Sequence, residues 1–111
     1  MWKIKTDEFN KKDIVNNGNK FLIGNGYFGY RGTLEEFTKD EYVCVNLPGV
    51  YDKYQDKWRE SVNAPNPFYT KVYYKNQELN PILIKPNYHE YVLNINNGVF
   101  ERKTNWLINN V

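Results

Sequence analysis

An all-β chain folded as an antiparallel β-sandwich is what this sequence predicts, and three observations carry that expectation. Aromatic residues make up 17% of its 111 positions, ten of them tyrosine, and aromatics sit best on half-buried pleated surfaces. Turn signals recur at Pro48-Gly49, Asn76-Gln77 and Asn97-Gly98. Residues 88–108 form two runs joined at Asn97-Gly98, the dipeptide that two-residue type I′ hairpin turns prefer. A chain of this length buries roughly two-thirds of its unfolded surface, enough for one core.

Residues 1–19 are expected as an N-terminal arm, and residues 20–111 as the sandwich. In the arm, Trp2 and Ile4 alternate with polar residues, Phe9 and Ile14-Val15 seat a short helix or an extended stretch on the core, and Asn16-Asn17-Gly18-Asn19 reads as a turn. The stretch FLIGNGYFGYRGTLEE, residues 21–36, holds four of the seven glycines. It reads as a strand that bends at Gly24 to Gly26 and continues through Tyr27 to Arg31 with bulges. The competing reading is a ligand-facing loop whose polar and aromatic surface is Asn25, Tyr27, Tyr30 and Arg31. Gly24-Asn25-Gly26-Tyr27-Phe28-Gly29 fits the dinucleotide pattern GxGxxG, but Tyr30-Arg31-Gly32-Thr33 follows where a helix has to open, so nucleotide binding is not expected.

A strand over residues 42–47 places Cys44 as a small buried residue, and Pro48-Gly49 ends it. Residues 53–67 look like a loop, with Tyr54 and Trp58 favoured as covers over the core rather than as exposed ligand platforms. Residues 68–75 alternate, Asn76-Gln77 forms a tight turn, and Pro81 to Pro86 brackets a short edge or connecting strand. A turn at Asn97-Gly98 would pair Asn96 with Val99, Ile95 with Phe100, Leu93 with Arg102, Tyr91 with Thr104 and His89 with Trp106. His89, Tyr91, Leu93, Ile95, Phe100, Thr104, Trp106 and Ile108 then face the core, and His89 is a core or edge histidine rather than a catalytic one.

Composition narrows the function classes. A formal net charge of +2 supplies neither a nucleic-acid patch nor a membrane-surface stripe, so no nucleic-acid or membrane partner is expected. Cys44 is the only cysteine and His89 the only histidine, so neither a disulfide nor a Cys- or His-based metal site can be assembled. Lone-cysteine usage and the absence of an apolar leader point to the cytoplasm. No cofactor is expected.

Residues 21–36, above all Gly24-Asn25-Gly26-Tyr27 and Gly29-Tyr30-Arg31-Gly32-Thr33-Leu34-Glu35-Glu36, resemble the signature near the N-terminus of glycoside hydrolase family 65, the maltose, trehalose and kojibiose phosphorylases. Three later pieces follow in that family's order: Pro48-Gly49-Val50-Tyr51-Asp52, Ser61-Val62-Asn63-Ala64-Pro65-Asn66 and residues 93–102. The resemblance implies part of the family's large N-terminal sandwich domain. The parent would be an inverting phosphorylase, expected as a homodimer, that cleaves α-glucosides with phosphate to β-glucose 1-phosphate. It implies a catalytic helical barrel as partner, in the same chain or a separate one, and a shortened reading frame, a split gene product or an engineered piece. No catalytic glutamate carries over to Glu35, Glu36, Glu90 or Glu101, and the fragment alone is expected to be inactive. Asn25, Tyr27 and Arg31 are the candidates for contact with the active-site mouth. A stand-alone carbohydrate-binding module, stacking sugars on Tyr54, Trp58 and Tyr69, is the alternative.

Overall fold

The computed structural model describes residues 2–31, 34–37 and 43–109. Among them, ten antiparallel strands accompany a 3-10 turn (Lys11–Asp13) and one short helix, α1 (Ile14–Lys20). The strands are β1 (Lys3–Thr6), β2 (Ile23–Gly24), β3 (Gly29–Tyr30), β4 (Val45–Asn46), β5 (Tyr51–Tyr54), β6 (Trp58–Ser61), β7 (Tyr73–Tyr74), β8 (Gln77–Glu78), β9 (Tyr88–Asn94) and β10 (Val99–Asn105). One sheet has the order β1-β9-β10 and a second β2-β3-β4, while β5-β6 and β7-β8 stand as separate hairpins. The expected antiparallel β-architecture holds, as a partial sandwich.

Its core is where the two larger sheets face each other. Phe21 has no exposed surface and lies 5.4 Å from the Tyr91 ring and 5.6 Å from that of Phe100, both on the inward side of β9 and β10. Tyr30, Leu34, Phe37, Val43 and Val45 complete the buried cluster from the other side. The asparagines of the 62–66 motif staple it together. Asn63 Nδ2 donates to the Val43 carbonyl at 2.7 Å and its Oδ1 accepts from Val45 N at 2.9 Å, so the amide does the work of an adjacent strand. Asn66 Nδ2 donates likewise to the Phe37 carbonyl at 3.0 Å.

Several expectations need correction. The β9–β10 hairpin pairs Asn94 with Val99, Leu93 with Phe100, Tyr91 with Arg102 and His89 with Thr104, two residues out of the predicted register. The type I′ turn needs φ > 0 at both central residues. Gly98 supplies it at +67°, but Asn97 does not, and instead its Oδ1 accepts from Val99 N. Ile95 N donates to the Trp2 carbonyl, which draws it toward the N-terminal chain and leaves its side chain exposed in the connection. A slip of two preserves which residues share a face. The type I′ geometry occurs one residue earlier than expected in the other hairpin, at Lys75 and Asn76, with φ of +46° and +62°.

Residues 16–19 belong to α1 and are not a turn, because Ile14, Asn17 and Gly18 are buried along one side of it. The glycine stretch is no single bent strand: β2 and β3 fold back on each other, pairing Ile23 with Tyr30 and Gly24 with Gly29. No helix opens at Gly29. Tyr54 and Trp58 do not cover the core. They pair across the β5–β6 hairpin, part of what was expected as loop, and stack on each other at 5.9 Å, both about half exposed. Residues 81–84 are a turn, with Leu83 N and Ile84 N both donating to the Asn80 carbonyl, and not a strand. Cys44 is half-buried beside β4 and its Sγ accepts from Asn46 Nδ2. Tyr42, where that strand was expected to begin, lies outside the described residues.

Candidate functional site

The β2–β3 hairpin presents two of the three predicted ligand-facing residues at its tip. Gly26 takes φ of +86° there, the first turn position that type II′ hairpins reserve for glycine. Asn25 is exposed, and its Oδ1 accepts from the backbone N–H groups of Tyr27 and Phe28, both at 3.1 Å, so its side-chain carbonyl is spent on the turn. Tyr27 is 84% exposed. Arg31 is not brought to them. Its backbone N–H donates to the Cys44 carbonyl at 2.9 Å, and its stem folds across α1, where a β-carbon on Gly18 would stand 2.6 Å from Arg31 Cδ.

A charged cluster that sequence reasoning missed lies on the inward face of β10. Arg102 Nη1 donates to Glu36 Oε2 at 2.7 Å and to Glu35 Oε2, and Nη2 donates to Glu36 Oε1 at 2.8 Å, a bidentate fork across 66 residues of sequence. Arg102 Nε donates to Thr104 Oγ1 at 2.9 Å, which lies 3.0 Å from His89 Nδ1. Burial works against the Arg102 charge, but the hydrogen bonds and charge of Glu36 and the charge of Glu35 outweigh it and raise its pKa. The signal was in the pairing. Arg102 falls on the parity shared by Tyr91 and Phe100, and a guanidinium on an apolar face requires buried partners.

This cluster forms the rim of a cavity of about 420 Å³, lined also by Thr70, Val72, Phe100 and Trp106. Inverting glycoside chemistry needs a carboxylic acid free to protonate the leaving oxygen on one side of the bond and an incoming nucleophile on the other. Glu35 and Glu36 both grip the same Nη1, so they make a buckle that ties the end of the glycine stretch to β10. Tyr30 below them has a hydroxyl with no hydrogen-bond partner among the described residues, and burial, then the Glu35 charge, pushes its pKa up to about 12. It stays protonated near neutrality. Among the described residues no group of acidic, His or Cys side chains can hold a metal, and no helix is long and apolar enough to cross a membrane.

The sequence profile described as "Glycosyl hydrolase family 65, N-terminal domain" matches residues 4–110. A nigerose phosphorylase of Lachnoclostridium phytofermentans is 44% identical over 108 residues, covering 97% of this chain and 14% of its own length. A kojibiose phosphorylase of Caldanaerobacter subterraneus subsp. tengcongensis is 29% identical over 103 residues, covering 93% of this chain and 13% of its own. A solved structure assigned as a kojibiose phosphorylase from the human microbiome superposes with a TM-score of 0.84 at 20% identity, over 97% of this chain and 16% of that one. The chain therefore spans about one-seventh of the length of the curated relatives it matches.

Proposed function

The chain belongs to glycosyl hydrolase family 65, within its N-terminal domain, and from that premise we propose that it serves as the non-catalytic portion of an α-glucoside phosphorylase. The observation that carries this reading is the match of residues 4–110, together with relatives whose names specify nigerose, kojibiose and trehalose phosphorolysis. In it, phosphate attacks the anomeric carbon of the glucosyl unit at a helical barrel in the same or a separate chain, the glycosidic C–O bond breaks with a general acid protonating the departing sugar oxygen, and β-glucose 1-phosphate and the released sugar are the products. Nigerose is the first substrate to try, given the 44% identity, with kojibiose, trehalose and maltose beside it. A cytoplasmic homodimer without a cofactor is the setting that fits.

The hairpin tip with Asn25 and Tyr27 is the contact offered to the active-site mouth. Arg31, whose stem crosses Gly18, sets how that hairpin leaves α1. The assay is β-glucose 1-phosphate release from nigerose and phosphate. The chain alone is expected to release none, and addition of a nigerose phosphorylase polypeptide lacking its N-terminal portion is expected to start release. Turnover by the chain alone contradicts the reading.

A second reading, a stand-alone carbohydrate-binding module, is favoured by the exposed Tyr54 and Trp58 stack and by the exposed ring of Tyr69. Tryptophan fluorescence unmoved by millimolar maltose, kojibiose or trehalose excludes it.

A further inference from the structure

β10 ends its sheet, so one side of it has no strand to pair with. Which backbone groups that leaves open follows from the register. Ile95 N donates to the Trp2 carbonyl at 2.8 Å, so Tyr91, Leu93 and Ile95 turn their backbone groups toward β1, while Glu90 and Val92 turn theirs toward β10. Val92 pairs with Glu101 and Glu90 with Lys103, which engages the N–H and C=O groups of Glu101 and Lys103. Asn105 faces the same way, its carbonyl accepting from Asn87 N at 2.8 Å. The N–H and C=O groups of Phe100, Arg102 and Thr104 therefore point out of the sheet's edge, and no strand among the described residues meets them. Open space runs beside them: two cavities, of about 420 and 490 Å³, share Leu79, Thr104 and Trp106 and together follow the inward side of the chain from Phe100 to Ile108.

A free edge of seven residues with neither proline nor glycine is a template for another strand. The side chains say which one. On the outer face Val99, Glu101, Lys103 and Asn105 are exposed, and Glu90, opposite Lys103 on β9, is already held by Lys5 at 2.6 Å. An antiparallel copy of β10 laid along the edge has to match edge-facing residues with edge-facing residues, so a two-fold axis between the copies passes through one residue. Centred on Glu101 or Lys103, the pairing sets like charges opposite each other, and centred on Phe100 or Thr104 it leaves part of the strand unpaired. Centred on Arg102, it pairs the whole strand: Phe100 exchanges backbone bonds with Thr104 and Arg102 with its own copy, and Glu101 meets Lys103 twice, at the closer spacing of non-hydrogen-bonded pairs. The Arg102 side chains at the axis are each neutralised by their own Glu35 and Glu36. The other edge offers nothing comparable, since β1 is four residues long and carries Lys3 and Lys5 without an acidic residue. We propose that β10 is a homodimerisation edge, along which a second copy of this chain lays its own β10 antiparallel about Arg102 and joins two three-stranded sheets into one. The inference rests on strand register and charge, not on the phosphorylase reading, and stands or falls separately from it.

Sedimentation equilibrium measures the dimer, with Glu101→Lys and Lys103→Glu as probes at exposed positions that leave the core untouched. Each reversal turns both contacts between Glu101 and Lys103 into like-charge contacts and is expected to raise the dimer dissociation constant about tenfold or more. An equimolar mixture of the two variants restores opposite charges at both contacts, and a heterodimer as tight as the original dimer is the expected result. Hydrogen exchange in the unaltered chain gives a second reading that needs no variant. The amides of Phe100, Arg102 and Thr104 are expected to slow as chain concentration rises, while those of Glu101 and Lys103, already bonded to β9, do not change. A monomer at every concentration, a dimer equally strong in either variant, a mixture no tighter than its components, or edge amides indifferent to concentration each overturns the proposal.

Discussion

Arg102 is the residue on which the contact between the two halves of the core depends most. Its guanidinium satisfies Glu36, whose side chain is 8% exposed, so removing it leaves a buried carboxylate without a counter-charge. Arg102→Met is expected to cost about 3–5 kcal/mol of stability by urea denaturation, the range for one-sided removal from a buried ion pair. Adding Glu36→Gln in the same chain is expected to recover part of that loss, and a purely additive double variant would contradict the pairing. His89 carries the second residue-scale expectation. Its imidazole is held at about 4 instead of 6.5, by burial and then by Arg102. The unfolded chain binds a proton that the folded chain refuses as pH falls from 6.5 toward 4. The contribution is therefore full above about pH 6.5 and is lost on the acid side, amounting to about 3 kcal/mol at most. An NMR titration of this one histidine is expected to show a midpoint near 4, and a midpoint near 6.5 contradicts its burial. The Lys5 Nζ to Glu90 contact at 2.6 Å acts in the same direction at low pH, since the hydrogen bond from Lys5, then that from Tyr88, lowers the Glu90 pKa.

The strands differ in how far sequence foretold them, and the difference is physical. The inward set of β9 and β10 was legible because period-two alternation survives a slip of two, so Tyr91 and Phe100 were placed on the core side although their partners were not. The register itself was not legible, because Ile95 N donates to the Trp2 carbonyl, a contact 93 residues away in sequence that no local pattern encodes. Lys75 illustrates the same limit: nothing in a lysine signals φ of +46°, so the tight turn was sought one residue late. The buckle was illegible for a related reason. Nothing local to Glu35 and Glu36 names Arg102, 66 residues on from Glu36, as their partner. The β5–β6 hairpin sits at the weak end of these elements, since all eight of its strand residues are exposed and two strands alone are marginal in water. Trp58→Ala removes the stacked Tyr54 pair. It is expected to shift global stability by less than about 0.5 kcal/mol while amide exchange over residues 51–61 becomes fast. A loss of several kcal/mol would mean that the hairpin packs on the core after all.

At the scale of the whole molecule, the chain is more open than its length requires. Its Cα radius of gyration is 16.1 Å, against about 13 Å for a compact domain of this size. Its accessible surface is 8004 Å², against roughly 6,500 Å² for a folded monomer of this mass. Large apolar side chains lie on that surface, with Trp2, Leu83 and Leu107 each about two-thirds exposed. Apolar surface left this way seeks cover, either from another copy or from a polypeptide shaped to it. The relatives carry six-sevenths of their length beyond the part that this chain matches. Light scattering on the eluting peak of a size-exclusion column tests this most directly, with the chain run alone and then mixed with nigerose phosphorylase lacking its N-terminal portion. Self-association alone, replaced by a complex with equal numbers of the two polypeptides on mixing, is the predicted result; a clean monomer that elutes unchanged from the mixture would contradict it.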